Sequence, residues 1–512
     1  MNIPNDTEEM IGERLAQTPA APAGARARRV VAAIVIGILP VAVVIAMAAW
    51  LFGASPARAI PYVGDEVAYW LQIASFQAAG FDGGYATIEE QASQVSFSHF
   101  GPHGPAYAVL FGSIARVVGW NYWSGPAFSA VFLVLAIAAW VLSARPPLVA
   151  ASLFMATFWP LLLAVPNTLE ESLHGAVACA IAALLVRLPS EETETDRRMS
   201  TALLGLVIVA SLIRPLWALL AIPLGGRWGR PGQWKFWAGT GAGAVFAASM
   251  YSVYTLLASP YRGPSGGVLL EILSQPLTVL PIVLHRQVAQ FEAWFAWRDQ
   301  WFEILFRYEL MALGLAAAVL AMTHHDPRAR LRLVSAAAMS ALVLLSVLTF
   351  INIGSWRDYR MVTPIVLLLW LLIASVRPRA LWVAIAIHLL VAPIGARTFA
   401  DFQEPRFHDD PRPAIDAFAS EVRGVLAYDR SLPPWGNSVL VHLDAYQFPL
   451  LGLPKGIGVS MAFEWDKVAV PFKSRYLLLR PADVDALAGI VRMRKLRDTS
   501  LGALYENLDW RR

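Results

Sequence analysis

Two pairs of adjacent carboxylates are the residues best suited by type and spacing to do chemistry. Asp65 and Glu66 fall in Pro61-Tyr-Val-Gly-Asp-Glu-Val-Ala-Tyr69-Trp70, and Glu170 and Glu171 in Asn167-Thr-Leu-Glu-Glu. Around them in the chain stand His99, His103 and Tyr107 in His-Phe-Gly-Pro-His-Gly-Pro-Ala-Tyr, then Arg214 before Pro215, Arg262, Arg286, and Arg357 and Arg360 in Arg-Asp-Tyr-Arg. Carboxylates and arginines meeting in one place suit group transfer from a phosphate. One acid deprotonates an acceptor hydroxyl, while Arg or His neutralises the charge growing on the departing phosphate. Where the donor is a glycoside, the transition state resembles an oxocarbenium ion, and a carboxylate facing the anomeric carbon also stabilises positive charge.

Each group has a plainer reading. Acids in a first helical turn are favoured by the helix dipole whether or not they do chemistry. Asn167 and Thr168 can simply cap the start of a helix that begins with Glu170 and Glu171. Two histidines without a third fixed ligand fall short of a metal site, and Arg214 and Arg360 can snorkel to bulk lipid. Trp294, Trp297 and Trp301 read as an interface belt.

The elements that position these residues belong to a membrane. Of 512 residues 57% are hydrophobic and only 15% charged, too apolar for a solvated surface. The 19 Trp and 14 Tyr fit the aromatic enrichment at membrane–water boundaries. A net charge of +4 is too small to imply nucleic acid, and the single Cys179 excludes a disulfide within the chain and a cysteine metal site.

Residues 1–29 read as a disordered cytoplasmic tail ending in Arg26, Arg28 and Arg29, ahead of a first span at 30–52. The positive-inside rule then puts Asp65 and Glu66 outside, in the first turn of an amphipathic helix lying at the interface. The run 108–120 either spans or forms a second interfacial helix. The interfacial reading is preferred, because it puts Arg145 inside and Glu170 and Glu171 on the side of Asp65. Further spans are expected at 127–143, 148–165, 173–188, 202–213 with 216–224, 236–257, 304–322, 333–351, 363–376 and 381–394. The expected fold is therefore a polytopic α-helical membrane protein of about eleven transmembrane helices. A transmembrane domain occupies 30–400, with a first external loop at 54–125 and a long one at 258–301. Strand-like runs at 438–443, 476–479 and 503–505, with a helical stretch at 482–494, make 401–512 a small α/β domain outside the membrane.

The order of first span, Gly-Asp65-Glu66 with Tyr69, interfacial helix, His-Gly-Pro-Ala-Tyr107, Asn167-Thr-Leu-Glu170-Glu171 and a late Arg-Asp-Tyr-Arg360-Met-Val-Thr-Pro364 resembles the GT-C class of membrane glycosyltransferases. That class includes protein O-mannosyltransferases, aminoarabinose transferases and oligosaccharyltransferases. The resemblance covers roughly the first 400 residues as an organisational pattern. It departs from the class in having His-Gly-Pro-Ala where many members have His-Pro-Pro-Leu, and Glu-Glu at the second acidic site. It implies an acidic pair that is catalytic, with Asp65 as base, Glu66 beside it, and Glu170 or Glu171 at the second site. It also implies a polyprenyl-phosphate sugar as donor, taken from the outer face of the cytoplasmic membrane, and a glycan, lipid or protein as acceptor. His99, His103, Tyr107, Arg214, Arg262, Arg286, Arg357 and Arg360 are the candidates for holding donor and phosphate. The sequence requires no metal; members of the class differ in their need for a divalent cation. A flippase for lipid-linked sugars and a polymerase or ligase using diphosphate-linked glycans are the alternatives.

Overall fold

The first helix begins earlier than the hydropathy implies. It runs Ala23–Phe52, so Arg26, Arg28 and Arg29 sit on its first turns rather than in the tail. Ala and Arg are strong helix formers, and the one poor helix former among them, Gly24, falls at the very start of the helix. The computed structural model describes residues 23–511 except 56–57, 63, 86, 94, 96–99, 102, 189–193, 228–231, 260–274, 296–300, 351–359, 408–409 and 443–447. The rest of the expected tail, 1–22, lies outside the described residues.

After α1 (Ala23–Phe52) come α2 (Gly64–Ala79), the two-residue strand β1 (Thr87–Ile88), α3 (Ala106–Val118), α4 (Ser124–Ala144), α5 (Leu148–Thr157) and α6 (Trp159–Ala164). Next are α7 (Glu171–Arg187), α8 (Glu194–Ile213), a 3-10 turn at Pro215–Leu220, α9 (Ala221–Gly226), α10 (Trp234–Leu257) and α11 (Pro276–Phe295). The helical part closes with α12 (Trp301–Thr323), α13 (Pro327–Phe350), α14 (Thr363–Val376), α15 (Ala380–Leu390) and α16 (Ala392–Phe407). Among the described residues three helical stretches are long and apolar enough to cross a membrane, Gly24–Phe52, Ser124–Ala144 and Pro327–Thr349. The pair α15 and α16, bent by 62°, makes a fourth if taken as one broken span. Of the other expected spans, 173–188 and 363–376 form helices shorter than those three, and 148–165 is broken at Phe158 into α5 and α6. The long loop expected at 258–301 is not irregular throughout, since α11 forms within it.

α7 and α14 lie at the centre of the helical part. α14 is buried at every position from Thr363 to Ala374, which is what a helix apolar on all sides must do. α7 packs between it and α4.

The C-terminal region continues with α17 (Arg412–Val422), β2 (Ser438–His442), β3 (Gly458–Ala462), β4 (Tyr476–Leu479), α18 (Pro481–Leu487), β5 (Met493–Thr499) and β6 (Gly502–Asn507). The helix expected over 482–494 ends at Leu487. Gly489 turns the chain with φ +82°, which frees Met493 onward to form a strand. The sheet has the order β1-β3-β2-β4-β6-β5, with β1, β3, β2 and β4 parallel and β6 and β5 antiparallel additions. Its parallel strands are buried on both faces, while the charged edge strand β5 is largely exposed.

One strand of this sheet comes from far away in the chain, because β1 belongs to the stretch 54–125, expected as the first external loop. Thr87 and Ile88 align with Ser460 and Met461, and the chains touch at two glycines. A Cβ on Gly458 would lie 2.2 Å from the carbonyl carbon of Gly84. The sheet face carrying Val439, Val441, Val459 and Leu478 shares a core with Val67, Trp70 and Ile73 of α2 and with Tyr107 and Phe111 of α3. α2 is accordingly buried from Glu66 to Phe76 rather than half-immersed along one face, as an isolated interfacial helix would be.

Candidate active site

α2 starts at Gly64, and Asp65 and Glu66 occupy its first turn, where their charges face the positive end of the helix dipole. Successive helical residues point about 100° apart, so the two carboxylates diverge. The Asp65 side chain is 41% exposed, whereas that of Glu66 is 0% exposed.

Asp65 opens a chain of alternating charges drawn from four separate segments. Its Oδ2 is paired with Arg360 Nη2. Arg360 Nε lies 3.6 Å from Glu171 Oε1, which also accepts a hydrogen bond from Arg214 Nη2 at 3.0 Å. Arg214 Nη2 is 3.7 Å from Glu170 Oε2, and His174 Nε2 is 3.6 Å from the same oxygen. His174 Nδ1 accepts from Trp217 Nε1 at 3.0 Å, so in a neutral His174 the proton sits on Nε2, toward Glu170. Asp65 at 41% and Arg360 at 26% are the exposed end of the cluster, and Arg214 at 14%, Glu171 at 4% and Glu170 at 2% are its buried end. In exposure alone the cluster narrows like a funnel, with its mouth at Asp65 and its floor at Glu170.

Local sequence explains each contribution. Arg214 precedes Pro215, which disfavours helical backbone in the preceding residue. The residue is extended at φ −143°, α8 ends there, and the side chain turns into the site. Arg360 lies in the turn before α14, with its carbonyl accepting from Thr363 N–H. The segment 165–170 enters α7 after α5 and α6 break at Phe158, and it is held from two sides. Tyr107 Oη donates to Thr168 O at 3.0 Å, and Thr168 N–H donates to Glu66 Oε1 at 2.8 Å. His103 lies tilted against Tyr69, with ring centroids 4.9 Å apart, and Tyr69 meets Tyr107 edge-on at 5.3 Å.

The environment separates the acids by protonation. Burial raises the Asp65 carboxyl, but Arg360 and then His103 more than offset it and hold its pKa below the ordinary value. Burial lowers His103, which keeps it neutral despite Asp65. Glu170, in the loop before α7, is pushed up to about 8 by burial and by neighbouring Glu171, against the pull of Arg214. At neutral pH the cluster then holds a neutral Glu170 acid with Asp65, Glu171, Arg214 and Arg360, two negative charges against two positive. Among the described residues Glu170 Oε1, Glu171 Oε2, His174 Nε2 and Arg214 Nη1 are buried with no hydrogen-bond partner. Such atoms are costly unless a ligand or water satisfies them.

Asp65, Glu170, Glu171, His103, Tyr107, Arg214 and Arg360 are thus brought together. Glu66, expected beside Asp65 in the catalytic pair, faces away from the funnel. It bonds Tyr62 N–H at 3.1 Å, Thr168 N–H at 2.8 Å and Arg406 Nη1 at 2.8 Å. His99, Arg262 and Arg357 lie outside the described residues. Arg286 lies on α11, but its side chain is likewise outside them. Among the described residues no group of three or more His, Cys, Asp or Glu is placed to hold a metal ion.

Four residues of the cluster were not singled out from the sequence: His174, Trp217, Gln403 and Arg406. His174 carried a usable signal, four residues after Glu170 on one helix face. Arg406 carried none, being 340 residues from its partner Glu66.

No family model matches the chain, and no curated protein matches it. Among solved structures, the crystal structure of ArnT from Cupriavidus metallidurans bound to undecaprenyl phosphate aligns over 92% of this chain and 98% of that one. The identity is 13% and the TM-score 0.46. A likeness at that level decides nothing about chemistry.

Proposed function

We propose that this chain is a membrane glycosyltransferase of the GT-C kind, moving a sugar from a polyprenyl phosphate to an acceptor hydroxyl on the outer face of the cytoplasmic membrane, with inversion. The observation that carries this reading is the funnel itself. A partly exposed ionised carboxylate sits at its mouth, two arginines lie behind it, and unsatisfied buried donor and acceptor atoms line its floor.

Asp65 takes the proton of the acceptor hydroxyl as its oxygen forms a bond to the anomeric carbon. The anomeric C–O bond breaks and its electron pair stays on the polyprenyl phosphate. That phosphate goes from a singly charged diester to a monoester with one further negative charge. Arg360 and Arg214 are the groups to receive this charge, Arg214 through its unpartnered Nη1. Glu171 keeps the two guanidinium groups together, and neutral Glu170 can donate to a phosphate or sugar oxygen without repelling it. The outer-face placement draws support from α3. At 13 residues it is about 20 Å long, short of the ~30 Å hydrocarbon core, and it packs on α2 beneath the C-terminal sheet.

The test is a labelled polyprenyl-phosphate sugar supplied to membranes carrying the protein. Release of free polyprenyl phosphate supports transfer. Movement of the label across the bilayer with its glycosidic bond intact overturns the reading in favour of a flippase.

A further inference from the structure

The two arms of the funnel are gripped by one face of α16, the helix that leads into the C-terminal region. Arg406 and Glu66 are 1% and 0% exposed, and they meet as a buried ion pair with one hydrogen bond. Arg406 Nη1 donates to Glu66 Oε1 at 2.8 Å, and Nη2 lies 2.5 Å from Oε2. Glu66 adjoins Asp65 and also receives Thr168 N–H, so its carboxylate joins the Asp65 arm to the Glu170–Glu171 arm. Three residues before Arg406 and on the same side of α16, buried Gln403 holds the second arm again. Its Nε2 donates to Asn167 Oδ1 at 3.1 Å and to Leu163 O at 3.3 Å. Arg406 Nη1 also donates to Ile60 O at 3.4 Å, and a planar guanidinium held between two acceptors fixes direction as well as distance, which a point charge does not.

We propose that Arg406, acting through Glu66, is a positioning residue that fixes the separation of Asp65 from the Glu170–Glu171 pair. Its kinetic consequence rests on the transferase reading; its structural consequence does not. Replacing a buried ion pair by two apolar side chains commonly leaves a fold intact, so the clamp can be removed without leaving a lone buried charge. A base displaced by about 1 Å loses about 100-fold in rate.

The full-length protein, with Cys179→Ala, takes spin labels at Ala78→Cys on α2 and Arg187→Cys on α7, both exposed positions. The distance distribution is measured in this parent, in Arg406→Lys, and in the double variant Glu66→Met with Arg406→Met. The parent is expected to give a narrow distribution, Arg406→Lys a broader one, and the double variant the broadest. In the double variant kcat for polyprenyl-phosphate release is expected to fall about 100-fold with donor KM changed less than threefold. Arg406→Lys keeps the charge without the planar guanidinium, and it serves as the measurement should the double variant not fold. A distribution as narrow as the parent's in a folded variant overturns the proposal, as does a broadened one with unchanged kcat. Broadening in a protein whose parent releases no polyprenyl phosphate from any donor removes the transferase reading and leaves the clamp standing.

Discussion

Glu170→Gln isolates the acid at the floor of the funnel. With the carboxyl pushed up to about 8 from an ordinary 4.5, roughly nine in ten molecules are protonated at pH 7. Gln is then a close mimic of the working form. Catalysis by the wild type should decline as pH rises through about 8, because ionised Glu170 faces the phosphate, while Glu170→Gln should stay flat over that limb. Stability follows the same proton with a definite sign. A carboxyl whose pKa is raised by folding is ionised in the unfolded chain from about 4.5 upward but in the native one only from about 8. Native stability therefore falls across that window and levels off above it. Between pH 5 and pH 7 the loss is about 2.5 kcal/mol by linkage. The assay is a pH series of initial rates with melting temperatures for both proteins. Glu170→Gln should melt higher than wild type at pH 7 and converge with it toward pH 5. A Gln variant inactive at pH 7, with the wild-type stability unchanged between pH 5 and 7, would refute a protonated Glu170.

Two further outcomes can be checked without a substrate. With Cys179 replaced, Asn121→Cys, exposed between α3 and α4, should react with an impermeant thiol reagent from the outer side, and labelling from the cytoplasm alone contradicts the interfacial placement of α3. Deep among the helices, Glu309 and His388 pair at 3.3 Å while Trp370 Nε1 donates to Glu309 at 2.5 Å. His388→Leu should destabilise the protein by about 1–3 kcal/mol, because it removes a polar neighbour from the buried Glu309 carboxyl, and Glu309→Met added to it should recover most of that in a denaturation curve.

Much of this site could be read from residue types because its parts obey local rules. The acids at the start of α2, the break at Arg214-Pro215 and the turn before Thr363-Pro364 are all written in a few neighbouring residues, and β4 was visible as an apolar run. What escaped was set by contacts distant in sequence. Glu66 looked equivalent to Asp65 until Arg406, far along the chain, took it into the interior. β3 was missed because Gly-Val-Ser-Met-Ala is short and mixed, and β1 because two residues make no pattern; each is a strand only beside the other. The apolar side of α2 read as a membrane-facing stripe, and it is buried in a core shared with the sheet and α3. The helix expected past Leu487 failed at Gly489, whose positive φ no helix interior accepts.

The central claim is that Asp65 is the base. Asp65→Asn keeps shape and hydrogen-bonding capacity but cannot accept the acceptor's proton at neutral pH, and loss of a general base costs about 10²–10⁴-fold in rate. The direct measurement is single-turnover release of polyprenyl phosphate from a labelled donor by purified wild type and Asp65→Asn, at matched folding and matched donor binding. The account predicts a fall within that range with donor affinity little changed. A variant that releases polyprenyl phosphate at close to the wild-type rate contradicts it.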